Sequence, residues 1–97
     1  MRIRYTRPAL ADLEGLLGSI SSHSPKGARR VQSRIQTFIE LLADYPFIGA
    51  RTDDPSMRRL PTPPYPYLIF YEVAGDEVVV HTVRHAARDP SSMPGSG

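Results

Sequence analysis

Four arginines and a histidine are the side chains of this sequence best suited to chemistry on a charged group. Arg58 and Arg59 are adjacent, and Arg84, His85 and Arg88 follow an apolar run further along the chain. Arginine binds phosphates and carboxylates through a planar fork of N–H groups, and histidine gains or loses a proton near neutral pH. These residues therefore predict a surface that binds anions.

Catalysis is a more demanding interpretation of Arg59, Arg84 and His85. Cleavage of RNA through its 2′-hydroxyl needs a base, a cation that stabilises the phosphate and an acid for the leaving group. Arginine stabilises charge but is a poor base at pH 7, which leaves His85 as base or acid. A histidine at a strand end is more often a capping or surface residue, and Arg84 has an alternative role in a salt bridge to Asp89 or a loop carboxylate. The sequence leaves both interpretations open.

A second basic group lies on a predicted helix. Lys26, Arg29, Arg30 and Arg34 share the polar side of this helix, and all but one of the twelve basic residues in the chain are arginine. A net charge of +2 is weak support for nucleic-acid binding. The group is interpreted either as a solvated face or as a docking face for an acidic protein or nucleic acid.

Composition limits the other kinds of site. The chain has 97 residues and no cysteine, so disulfides, thiolate ligands and cysteine nucleophiles are not expected. Its three histidines lack a second ligand at metal-binding spacing, so we predict no metal and no cofactor. No segment approaches the roughly twenty apolar residues that span a bilayer, and the first residues lack the apolar core of a signal peptide. The sequence therefore predicts a cytoplasmic protein without membrane association.

A predicted β-hairpin delivers the cluster of Arg84, His85 and Arg88 to the end of a sheet. Residues 67–73 and 77–83 are rich in β-branched and aromatic side chains, and a short connection containing glycine and aspartate joins them. Apolar residues occupy odd and even positions in both runs. Both faces of the hairpin are therefore expected to be at least partly covered.

The first half of the chain predicts a strand and two helices. Residues 1–5 alternate in polarity, as in a short strand with one apolar face. Apolar residues then recur at spacings of three and four, first in residues 10–20 and then in residues 28–45. Thr6 and Ser24 are the predicted N-caps, because each is an oxygen-bearing side chain followed closely by proline.

The remaining segment, between the second helix and the hairpin, predicts a loop and a short strand at residues 57–60. The prolines that follow are expected to prevent this strand from continuing, because proline lacks a backbone donor. The order is then β-α-α-β-β-β, an α+β fold in which an αα-hairpin packs on one face of a small, mainly antiparallel sheet. We expect one domain over residues 1–90 and a disordered tail at residues 91–97.

An ordered set of motifs resembles the RelE/ParE superfamily of toxins from type II toxin–antitoxin modules. Residues 4–13 look like the family's opening strand and helix, and Pro46-Phe47-Ile48-Gly49 is similar to the P-x-x-G that closes the second helix. Residues 67–73 resemble the third strand, and residues 83–90 resemble the final strand of the ParE branch with its Arg/His–Arg-Asp-Pro close. The resemblance covers most of residues 1–90.

The resemblance implies one of two activities. RelE-like members cleave mRNA on the ribosome with basic residues and often a C-terminal tyrosine, whereas ParE-like members inhibit DNA gyrase and are not known as nucleases. Here Leu68 stands where a RelE-like member typically has a basic residue, the only lysine is Lys26, and no tyrosine follows the final strand. The ParE-like activity, a non-enzymatic inhibitor of gyrase, is therefore favoured. The alternatives are a ribosome-dependent mRNA endonuclease that uses Arg59, Arg84 and His85, and a degenerate member that binds antitoxin without toxicity.

The resemblance also implies a protein partner. Toxins of this superfamily are held inactive by the C-terminal part of a cognate antitoxin, which wraps the toxin as a helix and an extended segment. Such a segment can bury an amphipathic helix and add a strand at a sheet edge, here at residues 57–60 or at the N-terminal strand. Hetero-oligomers of toxin and antitoxin are thus expected. The residues predicted to bind an acidic antitoxin tail or the target are Arg58, Arg59, Arg84, His85 and Arg88.

Overall fold

The predicted hairpin forms the centre of the sheet. The computed structural model describes residues 1–88, and it places the strands in the order β1-β5-β4-β3-β2, with only the β1–β5 pair parallel. The elements are β1 Arg2–Tyr5, α1 Arg7–Ser21, α2 Pro25–Asp44, β2 Ala50–Arg51, β3 Arg58–Thr62, β4 Tyr65–Ala74, β5 Glu77–His85 and a short 3-10 helix, Ala86–Arg88. Two helices on a mainly antiparallel sheet confirm the predicted α+β fold.

Both predicted N-caps are confirmed. The Thr6 hydroxyl accepts a hydrogen bond from the Ala9 N–H at 3.1 Å, and the Ser24 hydroxyl accepts one from the Gly27 N–H at 2.9 Å. Thr6 also donates to the His81 carbonyl of β5 at 3.1 Å, so the cap that begins α1 fastens this helix to the sheet. These bonds satisfy backbone donors that helix ends otherwise leave free.

The core lies between the helices and one face of the sheet. From α2, the fully or nearly buried residues Val31, Ile35, Ile39 and Leu42 face this core. Their partners on the strands are Leu60, Ile69, Tyr71, Val78, Val80 and Val83. The α2 spacing of three and four and the alternation along the strands explain which side chains meet here. Within residues 1–88, no helix is long and apolar enough to cross a membrane.

Prolines do not end the third strand where the sequence predicted. Pro61 lies inside β3 opposite Leu68, and Pro66 lies inside β4. The two residues of β2 pair only with Arg58 and Arg59, so beyond Arg59 strand β3 is an edge strand in the described sheet. An edge strand tolerates proline because the backbone groups on its outer side have no strand partner. A proline that faces this side removes no hydrogen bond from the sheet.

The hairpin contains an irregularity that its alternation did not predict. Gly75, at φ +62°, forms the tight turn with Asp76, and such a positive φ favours glycine. The ladder then shifts register between Phe70 and Tyr71, so that His81 becomes the extra residue of a β-bulge. The alternation of β5 side chains between the two faces of the sheet is therefore interrupted at His81.

The loop after α2 is fastened to the sheet by a buried tyrosine. Tyr71 is fully buried, its hydroxyl donates to the Pro46 carbonyl at 2.8 Å, and it accepts from the Gly49 N–H at 2.9 Å. A Cβ at position 49 would lie 2.5 Å from this hydroxyl, so only glycine fits. Arg58 adds hydrogen bonds to the Phe47 and Gly49 carbonyls at 3.2 and 2.8 Å. We call this arrangement the loop clamp.

Removal of the Tyr71 hydroxyl should destabilise the protein measurably. Tyr71→Phe leaves a buried N–H and a carbonyl without their partner, and we expect the free energy of unfolding to fall by about 1–3 kcal/mol. Tyr45→Phe is the matched control, because Tyr45 is 59% exposed and its loss should change stability by less than about 0.5 kcal/mol. Urea unfolding of the three proteins measures both effects, and equal stability of the two variants would contradict a stabilising clamp.

The same residue predicts how stability changes at alkaline pH. Burial raises the pKa of Tyr71 above 10.0, against the opposing effects of the Gly49 hydrogen bond and Arg58. Above about pH 10 the unfolded chain loses this proton while the folded protein keeps it, so the free energy of unfolding should fall as pH rises through the folded pKa. Burial and Glu40 also raise the pKa of Tyr5. Unfolding of Tyr71→Phe from about pH 8 to about pH 11 should show a smaller decline than the parent protein. An equal decline in both would exclude Tyr71 as its source.

Candidate functional site

The sheet face opposite the helices, which we call the open face, has an apolar centre between two arginines. Leu68, Phe70 and Val79 are each less than a tenth exposed but stand outside the core cluster. The Arg84 guanidinium lies 5.6 Å from the centroid of the Phe70 ring, in cation–π geometry. Arg59 is the cross-strand partner of Phe70. The structure therefore places the predicted residues Arg59 and Arg84 on the two strands that flank Phe70.

An acid–base pair lies on this open face as well. The ring Nε2 of His81 is 2.8 Å from Oε1 of Glu72, and both side chains are about one third exposed. Glu72 stands opposite Val79 in the ladder, which places it on the open face. Such a pair can hold or transfer a proton beside a bound anion.

Sequence reasoning did not select this pair, although a signal for it was available. A two-residue turn at Gly75 and Asp76 fixes the register of the hairpin. That register places Glu72 opposite Val79, so that His81 becomes its diagonal neighbour on the same face. The sequence motifs instead favoured the arginines and the histidine at the end of the strand.

His85 lies on the other side of the strand from Arg84, because adjacent strand residues point to opposite faces. Its ring packs edge-on against Tyr67 with a centroid distance of 5.6 Å, and its Nδ1 accepts a hydrogen bond from the Ala87 N–H at 3.1 Å. In the neutral ring the proton then resides on Nε2, which makes Nε2 a donor rather than a base. The geometry of His85 therefore suits a role in ending the strand and not proton abstraction.

The other predicted binding residues have different environments. Arg58 belongs to the loop clamp and also lies over the Phe47 ring, 5.2 Å from its centroid. Arg88 ends the 3-10 helix, but its side chain lies outside the described part of the chain. The same is true of Asp89, the predicted partner of Arg84, and of the predicted tail at residues 91–97.

The basic group on α2 forms a continuous surface. A shallow groove between α2 and the start of β4 is lined by Lys26, Arg29, Arg30, Ser33, Arg34, Thr37 and Tyr65. All four cations are exposed, and the first turn of α2 contains no acidic residue. We call this groove the basic groove. It is separate from the open face, since α2 covers the opposite side of the sheet.

A third surface is an apolar groove between the two helices. Its lining consists of Tyr5, Leu10, Leu13, Leu17, Gln32, Ile35, Gln36 and Ile39. Leu10 is 52% exposed, which is unusual for a large apolar side chain beside other leucines. Tyr5 belongs both to this apolar groove and to β1, an outer strand of the sheet. The groove and the sheet edge are therefore continuous.

Residues 1–88 contain no group of three or more histidine and carboxylate side chains arranged to hold a metal ion. The open face offers arginines, apolar side chains and the pair Glu72 and His81. This set can bind anions and apolar segments, and its acid–base pair can transfer a proton.

In this protein two helices pack on a five-stranded sheet, and arginines flank the open face of that sheet. This is the architecture expected of the RelE/ParE superfamily. A family model described as the ParE toxin of the type II toxin–antitoxin system, parDE, matches residues 3–90. The chain belongs to this family and is a toxin of the type II toxin–antitoxin class.

Individual relatives agree with this assignment. The chain is 39% identical over 87 residues to Toxin RelE2 of Caulobacter vibrioides, covering 90% of this chain and 97% of the relative. It is 39% identical over 85 residues to the putative toxin Y4kP of Sinorhizobium fredii, covering 88% of each. A solved structure of the chromosomal ParDE TA system from P. aeruginosa superposes with a TM-score of 0.78 at 22% identity, over 88% of this chain and 95% of that one. These names span both branches of the superfamily, so membership alone does not choose between gyrase and mRNA.

Proposed function

We propose that this toxin acts as a ParE-like protein that binds and inhibits DNA gyrase without catalysis of its own. The observation that carries the proposal is Leu68, which is 6% exposed at the centre of the open face, between its cross-strand neighbours Pro61 and Arg84. A RelE-like nuclease typically has a basic residue at the corresponding position. Gyrase is a cytoplasmic enzyme, so the proposal implies a cytoplasmic protein.

A cognate antitoxin is the proposed neutralising partner, and the continuity of two surfaces supports a specific mode of binding. An amphipathic helix would bury its apolar side in the groove around Leu10 and Leu13, and an extended segment would pair with the free side of β1. Tyr5 joins the two surfaces. Acidic residues further along the same segment would complement Arg59 and Arg84 on the open face.

Supercoiling by purified gyrase tests the main proposal. We expect the toxin to inhibit supercoiling and to cause cleaved DNA to accumulate, and we expect the cognate antitoxin to reverse both effects. Unimpaired supercoiling with toxin in about tenfold excess over gyrase would overturn the proposal.

A pair of matched variants tests whether the open face contributes to inhibition. Arg59→Ala with Arg84→Ala removes both cations beside Phe70 and should weaken inhibition about tenfold or more, as expected for the loss of charge-assisted contacts. Arg7→Ala with Arg51→Ala removes the same charge from exposed positions elsewhere and should leave inhibition unchanged. Thermal unfolding confirms that both variants fold. An equal loss in the two variants would assign the effect to net charge instead.

The second candidate function is ribosome-dependent cleavage of mRNA, and the contact between Glu72 and His81 favours it. On the open face these two residues could serve as base and acid for attack by a 2′-hydroxyl, while Arg59 and Arg84 stabilise the phosphate charge. This set replaces His85, whose Nδ1 is already occupied.

Three single variants distinguish the two candidates. If the toxin is an endonuclease, toxin added to translating ribosomes cuts mRNA, and Glu72→Gln and His81→Gln each reduce cleavage by about 100-fold, as for a lost general acid or base. His85→Gln is the control and should retain cleavage. Under the gyrase proposal no mRNA is cut, and Glu72→Gln keeps its inhibition of supercoiling.

A further inference from the structure

We propose that the basic groove on α2 is a docking surface for the phosphate backbone of duplex DNA. This inference does not depend on the identity of the toxin's protein target, because it concerns contact with DNA alone. It assigns a role to Lys26, Arg29, Arg30 and Arg34, which belong neither to the core nor to the open face.

The groove consists of hydrogen-bond donors in a regular row. Residues 26, 29, 30, 33, 34 and 37 follow the spacing of one helix side, and at about 1.5 Å per residue they extend over about 16 Å. Lysine, arginine, serine, threonine and tyrosine are the side chains that most often contact phosphates in protein–DNA complexes. All seven described residues of the lining are of these types, and none carries a carboxylate.

The cations of this groove are available for a ligand. The ion pairs found in residues 1–88 involve Arg2, Arg4 and His81, and none of them uses a residue of the basic groove. The acidic residues nearest in sequence on α2 are Glu40 and Asp44, which lie in the last turns of the helix. The first half of α2 therefore presents unneutralised positive charge to the surroundings.

The position of Lys26 is unfavourable for the isolated protein. The N-terminal end of a helix carries partial positive charge, so a cation in its first turn reduces its stability. Lys26 lies in the first turn of α2, which contains no acidic residue to compensate it. An anionic ligand along this side would remove the repulsion, because it would face both the side chains and the positive end of the helix.

Duplex DNA fits the groove better than single strands or duplex RNA. Binding of single strands relies on stacking against several aromatic side chains, and Tyr65 is the one aromatic residue in the described lining. The major groove of B-form DNA admits an α-helix, whereas that of A-form RNA is deep and narrow. The proposed contacts go to phosphates, which carry no sequence information directly, so we expect binding without sequence preference.

Fluorescence anisotropy with a labelled duplex of about 20 base pairs tests the proposal. With four phosphate contacts, log K should fall with log salt with a slope of about −3.6. Arg30→Gln with Arg34→Gln should make the slope shallower by about 1.8 and weaken binding at about 50 mM salt by tenfold or more. Arg7→Gln with Arg51→Gln is the matched control, because it also lowers the formal net charge from +2 to 0.

The expected result is loss of DNA binding in the groove variant and retention in the control, with unchanged thermal unfolding of both. Four other results would overturn the proposal. They are equal loss in the two variants, no binding by the parent protein at about 50 mM salt, tighter binding to a single strand or an RNA duplex of the same length, and tighter binding to polyglutamate of equal charge than to the DNA duplex. The last result would assign the groove to an acidic protein. Supercoiling assays remain a separate measurement, so the gyrase proposal can fail without affecting this one.

Discussion

The hydroxyl of Tyr71 is the contact on which the arrangement of the molecule depends. It lies in the core, yet it binds both ends of the loop that leaves α2, through the Pro46 carbonyl and the Gly49 N–H. The loop leads into β2, which pairs with β3, and Arg58 reinforces the loop from β3 itself. The pairing of β3 with β4 then places Arg59 opposite Phe70. One buried hydroxyl thus connects the packing of the helices with the position of a surface arginine.

The two sides of the sheet differ in what they offer to other molecules. One side is closed by the helices, and the contacts that it leaves for partners lie on the helices themselves, in the apolar groove and the basic groove. The other side remains open and combines buried apolar side chains with the polar side chains of Arg59, Glu72, His81 and Arg84. This small domain therefore has three distinct surfaces, which are the open face, the apolar groove and the basic groove.

The open face illustrates why a set of charged residues does not by itself define an activity. Arginines stabilise a bound anion equally well in an inhibitor and in a nuclease, since in both they supply positive charge and donors. The difference lies in whether a proton-transfer group stands within reach of the anion. Glu72 and His81 supply that possibility, and Leu68 beside Arg84 supplies an apolar contact surface instead. The two activities therefore depend on different residues of the same face.

Local signals in the sequence determined the fold class, both helix starts and the central hairpin. Thr6 and Ser24 act through bonds to residues three positions away, and the helix periodicity repeats within a few residues. The sequence also showed the Pro-x-x-Gly motif. It did not show why glycine is required there, because the residue that Gly49 contacts, Tyr71, lies 22 residues further along the chain. Tertiary structure alone decided that Pro61 stays within β3, that His81 occupies a bulge, and that Arg84 and His85 point to opposite sides. These features depend on pairing between distant strands, where the position of a neighbour, rather than residue type, sets the outcome.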